Sequence, residues 1–271
     1  LEAQCDCCEG SEWTHVYRTV HRCTGCNLHV ALHQHRSDQG APVEILTRGM
    51  DLRRLEFDAY VDLAQRYGGR GLWMDVGCGT GALLACVAER GFTPEGLEVT
   101  DAREGASLAA VPGARIHNRP LEELGLPEGR YDVISLINVF SHLPSPRRVL
   151  TEIRRVLKAG GLLVLRTGEI RGGGPIARRG MVRTLGDENQ WLGTGTLEAY
   201  GRRVGFQIEE RTFTPYLEWV LSPERLRMPS ASPRIRMAKR LLRSLPGRQR
   251  LLQALEPLTP MGSVRAVLRK A

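Results

Sequence analysis

Two groups of residues have the types and the spacing to do chemistry. Five of the seven cysteines lie within the first 26 residues, and four of them form Cys5-x-x-Cys8 and Cys23-x-x-Cys26 with 14 residues between the pairs. A CxxC turn aims two thiolates at one point, and two such turns complete the tetrahedral shell that zinc accepts. Cys5, Cys8, Cys23 and Cys26 are therefore the expected metal ligands. The zinc is expected to be structural, because four thiolates leave no open position for water or substrate. Cys7 is a spare that could replace a neighbour. A disulfide cluster is the competing reading, and it needs a secretory context that the sequence does not announce. His15, His21 and His29 read as surface or packing residues, and the isolated Cys78 and Cys86 as small core residues.

The second group is Gly77-Cys78-Gly79-Thr80-Gly81, preceded by Asp75 and followed by Glu98, 21 residues after Gly77. Glycines let backbone approach a ligand where a Cβ would obstruct it. An acid at that distance accepts hydrogen bonds from ribose hydroxyls. Gly77, Gly79 and Ala82 also satisfy the spacing of a nicotinamide or flavin site, a weak pattern taken alone. Asp75 separates the two readings, since a carboxylate there would repel a pyrophosphate held at the following helix N-terminus. S-adenosylmethionine brings an ammonium and a sulfonium and no phosphate, so an acidic site favours it.

The elements that must position these groups follow from the pattern around them. Leu72–Val76 reads as a buried strand running into the glycine loop and a helix over 82–90. Further strands are expected at 96–99, 114–117, 131–137 and 162–166. The helix between the last two starts at Ser145-Pro146 and stops before Gly160-Gly161. Strands alternating with helices give an α/β fold with a parallel sheet covered on both faces. The β-rich stretch between the cysteine pairs is too short for its own core, so metal takes the place of a core, as in a zinc ribbon.

Three motifs in order carry a family resemblance. Asp75-Val-Gly-Cys-Gly-Thr-Gly81 resembles the first motif of class I S-adenosylmethionine-dependent methyltransferases. Tyr131 to Pro144 resembles their fourth-strand motif, and Arg154 to Val164 the "LKPGGxL" lead into the fifth strand. A bacterial branch of that family is similar in carrying a CxxC…CxxC ribbon ahead of the core. The resemblance implies a seven-stranded Rossmann-like sheet, with a sixth strand over 207–213 and an antiparallel seventh over 263–270. It implies that Asp75 and the backbone of Gly77, Cys78, Gly79 and Gly81 hold the amino-acid end of the cofactor, and Glu98 the ribose diol. Val99 and Leu121 would flank the adenine, and Asn138 would face the methionine part.

Methyl transfer is an in-line displacement, so positioning and exclusion of water are the main tasks. A base is needed only where the attacking atom carries a proton. His142, just past the fourth strand, is the candidate; a capping or packing histidine is the competing reading. Where relatives commonly carry a His and an aromatic residue before the next helix, this chain reads Glu188-Asn-Gln-Trp-Leu-Gly-Thr-Gly195. The expected divisions are a ribbon module over 1–36, a helical linker or cap over 37–68 and the methyltransferase domain over 69–271, with a helical insert over 215–261.

The 271 residues, 42% hydrophobic and 25% charged, describe an ordinary globular chain without an apolar run of transmembrane length. Leu1-Glu2-Ala3-Gln4 carries neither an initiator Met nor a signal-peptide pattern, so a trimmed, cytoplasmic protein is expected. The net charge of +8 is uneven: from Arg211 onward 13 Lys and Arg face three Asp and Glu, leaving the rest slightly acidic. Residues 234–245 form a basic amphipathic pattern, expected as a lid packed on the core, with an anionic membrane surface or a phosphate-rich substrate as alternatives. A basic, glycine-rich stretch over 167–190, with Arg171, Arg178, Arg179 and Arg183, reads as a loop beside the site. The expected acceptor is a small molecule such as a bacterial metabolite, natural product or saccharide. A nucleic-acid methyltransferase is the alternative, disfavoured by 6% aromatics without aromatic-basic interleaving and by Asn138-Val-Phe-Ser where an Asn/Asp-Pro-Pro-Tyr signature would stand. A non-catalytic zinc scaffold is disfavoured by the intact cofactor motifs.

Overall fold

The computed structural model describes residues 3–17, 19–31, 50–100, 111–171, 189–215 and 261–271. The basic stretch within 172–188, the insert over 216–260 and the first part of the linker lie outside the described residues.

Five parallel strands build the centre: β4 (Leu72–Val76), β5 (Thr93–Leu97), β6 (Arg115–His117), β7 (Tyr131–Ile137) and β8 (Leu157–Ile170). Their order is β6-β5-β4-β7-β8, so the chain reverses direction across the sheet between β4 and β7. That reversal opens the crevice at the strands' carboxyl ends where such sheets bind ligands. β11 (Met261–Lys270) then pairs antiparallel with β8, and β10 (Phe206–Pro215) with β11. These seven strands are the sheet the sequence motifs imply.

Side-chain alternation divides the core into two layers. Trp73, Val133, Val164 and Val267 point to one face, beneath helices α1 (Met50–Arg66) and α2 (Ala82–Glu89). Met74, Ile134, Leu165 and Ala266 point to the other, beneath α3 (Pro146–Val156) and α4 (Thr196–Val204). α4 stops at Gly205, whose φ of 87° is open to glycine at no steric cost and whose carbonyl accepts from Arg154 Nε at 3.0 Å.

Two strands, β5 and β8, depart furthest from the limits the sequence predicts. β5 runs over Thr93–Leu97 instead of 96–99, because the Leu97 carbonyl turns to accept the backbone N–H groups of Gly77 and Cys78. This frees Glu98 and Val99 from the strand. β8 is far longer than 162–166, because β11 supports one of its edges as far as Ile170.

The N-terminal ribbon is stitched into this sheet. β1 (Trp13–Tyr17), β2 (Val20–Cys23) and β3 (His29–Ala31) form an antiparallel meander. β3 pairs with β9 (Gln190–Gly193), and β9 pairs parallel with Glu169 and Ile170 of β8. β7 pairs with β8 only as far as Arg166, so β9 takes over where β7 ends. The sequence that departs from the family pattern is thus the strand that joins ribbon to core. His29 is buried and packing, as expected, and burial, then the nearby Arg22 charge, hold its imidazole down at about 4. His15 and His21 lie near the surface with their rings in edge contact.

Candidate functional site

The glycine loop begins where β4 ends. Gly77, Gly79 and Gly81 all have positive φ, at 75°, 58° and 76°, a conformation side chains resist. At Gly77 there is also no room: a Cβ would lie 2.3 Å from Val139 Cγ2. The loop therefore packs against the residues that follow β7, and Gly81 opens α2. Cys78 is buried over Gly96, where a Cβ would meet its Sγ at 2.8 Å.

Two carboxylates flank this loop. Asp75 is buried and accepts from Ser135 Oγ at 2.6 Å. Ser135 in turn accepts from Trp73 Nε1 at 2.8 Å, which leaves its single hydroxyl hydrogen for Asp75. Burial pushes the Asp75 carboxyl up to about 7; the Ser135 bond opposes this and the charge of Glu98 adds to it. Glu98 is buried as well, with one oxygen held by the Gly79 N–H and the other by the Thr100 N–H, both at 3.0 Å. Each oxygen keeps a second lone pair, so a hydroxyl pair can be bound there without breaking either bond.

Of the residues expected to flank an adenine, Val99 is 57% exposed and offers an apolar face, whereas Leu121, in the 3-10 turn Leu121–Glu123, is 2% exposed and committed to the core beneath α3. Asn138 stands exposed at the end of β7 with φ 60°, and Arg166 donates to its Oδ1. Arg166 also pairs with Glu56 of α1 at 3.0 Å.

His142 ends the 3-10 turn Phe140–His142 and is exposed. Its backbone is fixed by a pair of residues that sequence reasoning missed. Asn189 N–H donates to the Ser141 carbonyl at 2.9 Å, Asn189 Nδ2 to the His142 carbonyl at 3.4 Å, and Gln190 Nε2 to the Leu143 carbonyl at 2.6 Å. Three successive carbonyls are thereby held by one dipeptide at the start of β9. The only sequence signal was the departure from the family pattern at this stretch.

The four expected cysteines converge. The ligand atoms of Cys5, Cys8, Cys23 and Cys26 lie within 4.8 Å of one another, with Cys5–Cys26 and Cys8–Cys23 sulfurs both 3.5 Å apart. Tetrahedral zinc with bonds of about 2.3 Å needs sulfurs roughly 3.8 Å apart, so the donor set fits. The Cys26 thiol and burial push the Cys5 thiol far above its usual range, a cost that a dication at the centre reverses. Cys7 is fully buried beside the cluster, with its Sγ 3.8 Å from the Thr196 carbonyl, and is not among the four whose ligand atoms converge.

A methyltransferase-domain family model matches residues 51–210, more than half of the chain. The chain belongs to the class I S-adenosylmethionine-dependent methyltransferase family. A ubiquinone biosynthesis O-methyltransferase from Dechloromonas aromatica is 29% identical over 122 residues, covering 43% of this chain and 52% of that protein. An uncharacterized methyltransferase from Mycobacterium sp. (strain JLS) is 38% identical over 98 residues, covering 36% of this chain and 38% of that protein. The chain thus spans about half or less of the length of these relatives. Among solved structures, geranyl diphosphate C-methyltransferase from Streptomyces coelicolor A3(2) superposes with a TM-score of 0.58 at 16% identity, over 81% of each chain. The [4+2]-cyclase SpnF superposes with a TM-score of 0.54 at 20% identity, over 79% of this chain and 80% of its own. These likenesses establish the fold; a cyclase among them shows that the fold alone does not fix a reaction.

In this chain the four-cysteine knuckles dock on α3, α4 and the residues around them. Asp6 accepts the backbone N–H of Arg147 at 2.8 Å and the Tyr200 hydroxyl at 3.0 Å, and Ser145 Oγ donates to its other oxygen. It thus caps α3 from outside the helix, in place of the Ser145 side chain that the sequence marks as the cap. Glu9 pairs with both Arg147 of α3 and Arg203 of α4. Thr196 Oγ1 donates to the Cys26 carbonyl at 2.6 Å, and Asn27 Nδ2 to the Thr194 carbonyl at 3.0 Å. No helix among the described residues is long and apolar enough to cross a membrane.

Proposed function

We propose that this chain moves the methyl group of S-adenosylmethionine to an oxygen or nitrogen of a small-molecule acceptor, a bacterial metabolite, natural product or saccharide. The observation that carries the reading is the pair of buried carboxylates, Asp75 and Glu98, on either side of a glycine loop that only glycine can form. When bound, the cofactor supplies an electrophilic methyl on a sulfonium. Asp75 and the Gly77, Cys78, Gly79 and Gly81 backbone hold the amino-acid end, and Glu98 accepts the ribose hydroxyls. Val99 covers one face of the adenine. Asn138 faces the methionine part, and His142 takes a proton from the attacking atom where there is one. A nicotinamide dinucleotide is disfavoured because its pyrophosphate would meet two carboxylates at the loop.

Zinc on Cys5, Cys8, Cys23 and Cys26 serves a structural role in this reading, tying the ribbon to α3, α4 and β9. The relatives named for ubiquinone biosynthesis and for geranyl diphosphate support a small acceptor. The nucleic-acid alternative keeps the ribbon and the basic C-terminal segment as binding surfaces; methylation of RNA or DNA by the purified chain would favour it. The cytoplasmic location and the division at about residues 36 and 68 belong to the same proposal.

Calorimetry with S-adenosylmethionine and S-adenosylhomocysteine tests the cofactor. Wild type is expected to bind in the micromolar range, on the order of −8 kcal/mol, and Asp75→Ala and Glu98→Ala to lose binding. A folded, zinc-loaded wild type that binds neither ligand overturns the reading.

A further inference from the structure

Asn138 is gripped in a way that fixes which end of its amide is offered to a ligand. Its backbone N–H donates to the Arg166 carbonyl at 2.9 Å, and the Arg166 guanidinium donates to its Oδ1. A guanidinium has only donors, so the amide oxygen is the atom that must face it. Both Nδ2 hydrogens are then turned the other way, at the exposed end of β7. Arg166 is itself held: its Nε lies 3.0 Å from Glu56 Oε1, and the Tyr60 hydroxyl donates to the same oxygen at 2.7 Å. Arg166 is only 16% exposed, so its charge polarises the amide through protein and not through bulk water.

The place of this donor narrows what it meets. The neighbouring Val139 packs on Gly77, which ties the turn that follows Asn138 to the glycine loop. Of the two acids beside that loop, Asp75 suits the ammonium of an amino-acid group, and Glu98 is left to the ribose. The carboxylate of the amino-acid group needs a donor set apart from both, because like charges would repel it.

We propose that Asn138 donates from Nδ2 to the carboxylate of the cofactor's amino-acid end, and that Arg166, braced by Glu56, is the positioning residue that orients it. The proposal rests on the cofactor reading given above. Arg166 then does not touch the ligand; it sets the direction of a neutral donor whose conformation, at φ 60°, asparagine tolerates better than most residues.

The test uses the full, zinc-loaded chain and two probes, S-adenosylhomocysteine and 5′-methylthioadenosine, which shares the adenosine and sulfur and lacks the amino-acid end. Asn138→Gly keeps the positive φ open and removes only the amide. It is expected to weaken S-adenosylhomocysteine about tenfold, as loss of one hydrogen bond to a charged group does, with 5′-methylthioadenosine unchanged. Asn138→Asp, which sets a carboxylate against a carboxylate, is expected to weaken the first probe further and again spare the second. Arg166→Met is expected to follow Asn138→Gly, and Arg166→Lys to recover part of the loss. Thermal melting confirms that each variant is folded. Equal weakening of both probes, or no change in Asn138→Gly, overturns the proposal while leaving the cofactor reading intact. A wild type that binds neither probe overturns the cofactor reading and the proposal with it.

Discussion

Replacing Asp75 by Asn should make the ligand-free protein more stable above neutral pH while removing its hold on the cofactor. The unfolded carboxyl ionises at its ordinary value of 3.8; in the folded chain, burial first and the Glu98 charge second raise it to about 7, against the Ser135 hydrogen bond. Between those values the folded protein holds a proton that the unfolded chain has released. The associated stability is fully present below pH 3.8 and is lost as pH rises through about 7. The full loss corresponds to about 4 kcal/mol, accumulating at about 1.4 kcal/mol per pH unit. Asn has nearly the same shape, keeps a carbonyl for the Ser135 hydroxyl and carries no charge, so Asp75→Asn escapes the loss. Urea denaturation of both proteins between pH 5.5 and 8.5 measures it, and the difference cancels contributions from zinc and other titrating groups. The variant's advantage should grow by about 2 kcal/mol from pH 5.5 to 7 and then level off. A difference that stays flat across this range means that Asp75 does not change protonation, and the burial argument fails.

The remaining predictions concern binding and metal. If the ionised Asp75 holds the ammonium, S-adenosylhomocysteine affinity should rise with pH by up to about tenfold per unit below 7 and flatten above it; calorimetry on Asp75→Asn should show no such slope. Gly77→Ala forces a side chain into positive φ and against Val139, and should cost about 2 kcal/mol in a melt along with most of the cofactor binding. Elemental analysis should find zinc lost from Cys5→Ser and retained at about one per chain in Cys7→Ser, since Cys7 is not among the four cysteines whose ligand atoms converge.

Much of the framework was legible because its signals are local. Ser145-Pro146 started a helix because the fixed φ of a proline in the first turn is a property of a single residue. The apolar run over 131–137 marked a strand because both of its faces are covered, each by a different helix layer. The cysteine spacing selected the four convergent thiols, since a CxxC turn fixes its two sulfurs without help from the rest of the fold. The glycine loop and its two acids were likewise readable from composition and distance along the chain.

Residues that act through partners far away in sequence were not readable in this way. Asp6 looked like filler between cysteines, yet it caps a helix that starts 140 residues later at Pro146. Asn189 and Gln190 looked like a lapse from a family pattern, yet they hold the carbonyls around His142 and join the ribbon to the sheet. Arg166 was one more alternating strand residue until α1 and β7 placed Glu56 and Asn138 on either side of it. The sequence by itself determined the strand and helix periods, the four convergent cysteines and the acidic glycine loop, because bonding geometry and backbone sterics act over a few residues. Which carboxylate caps which helix, which edge of β8 the ribbon joins and which way the Asn138 amide faces were decided only by the tertiary structure, because each depends on partners that the crossings of the sheet bring together.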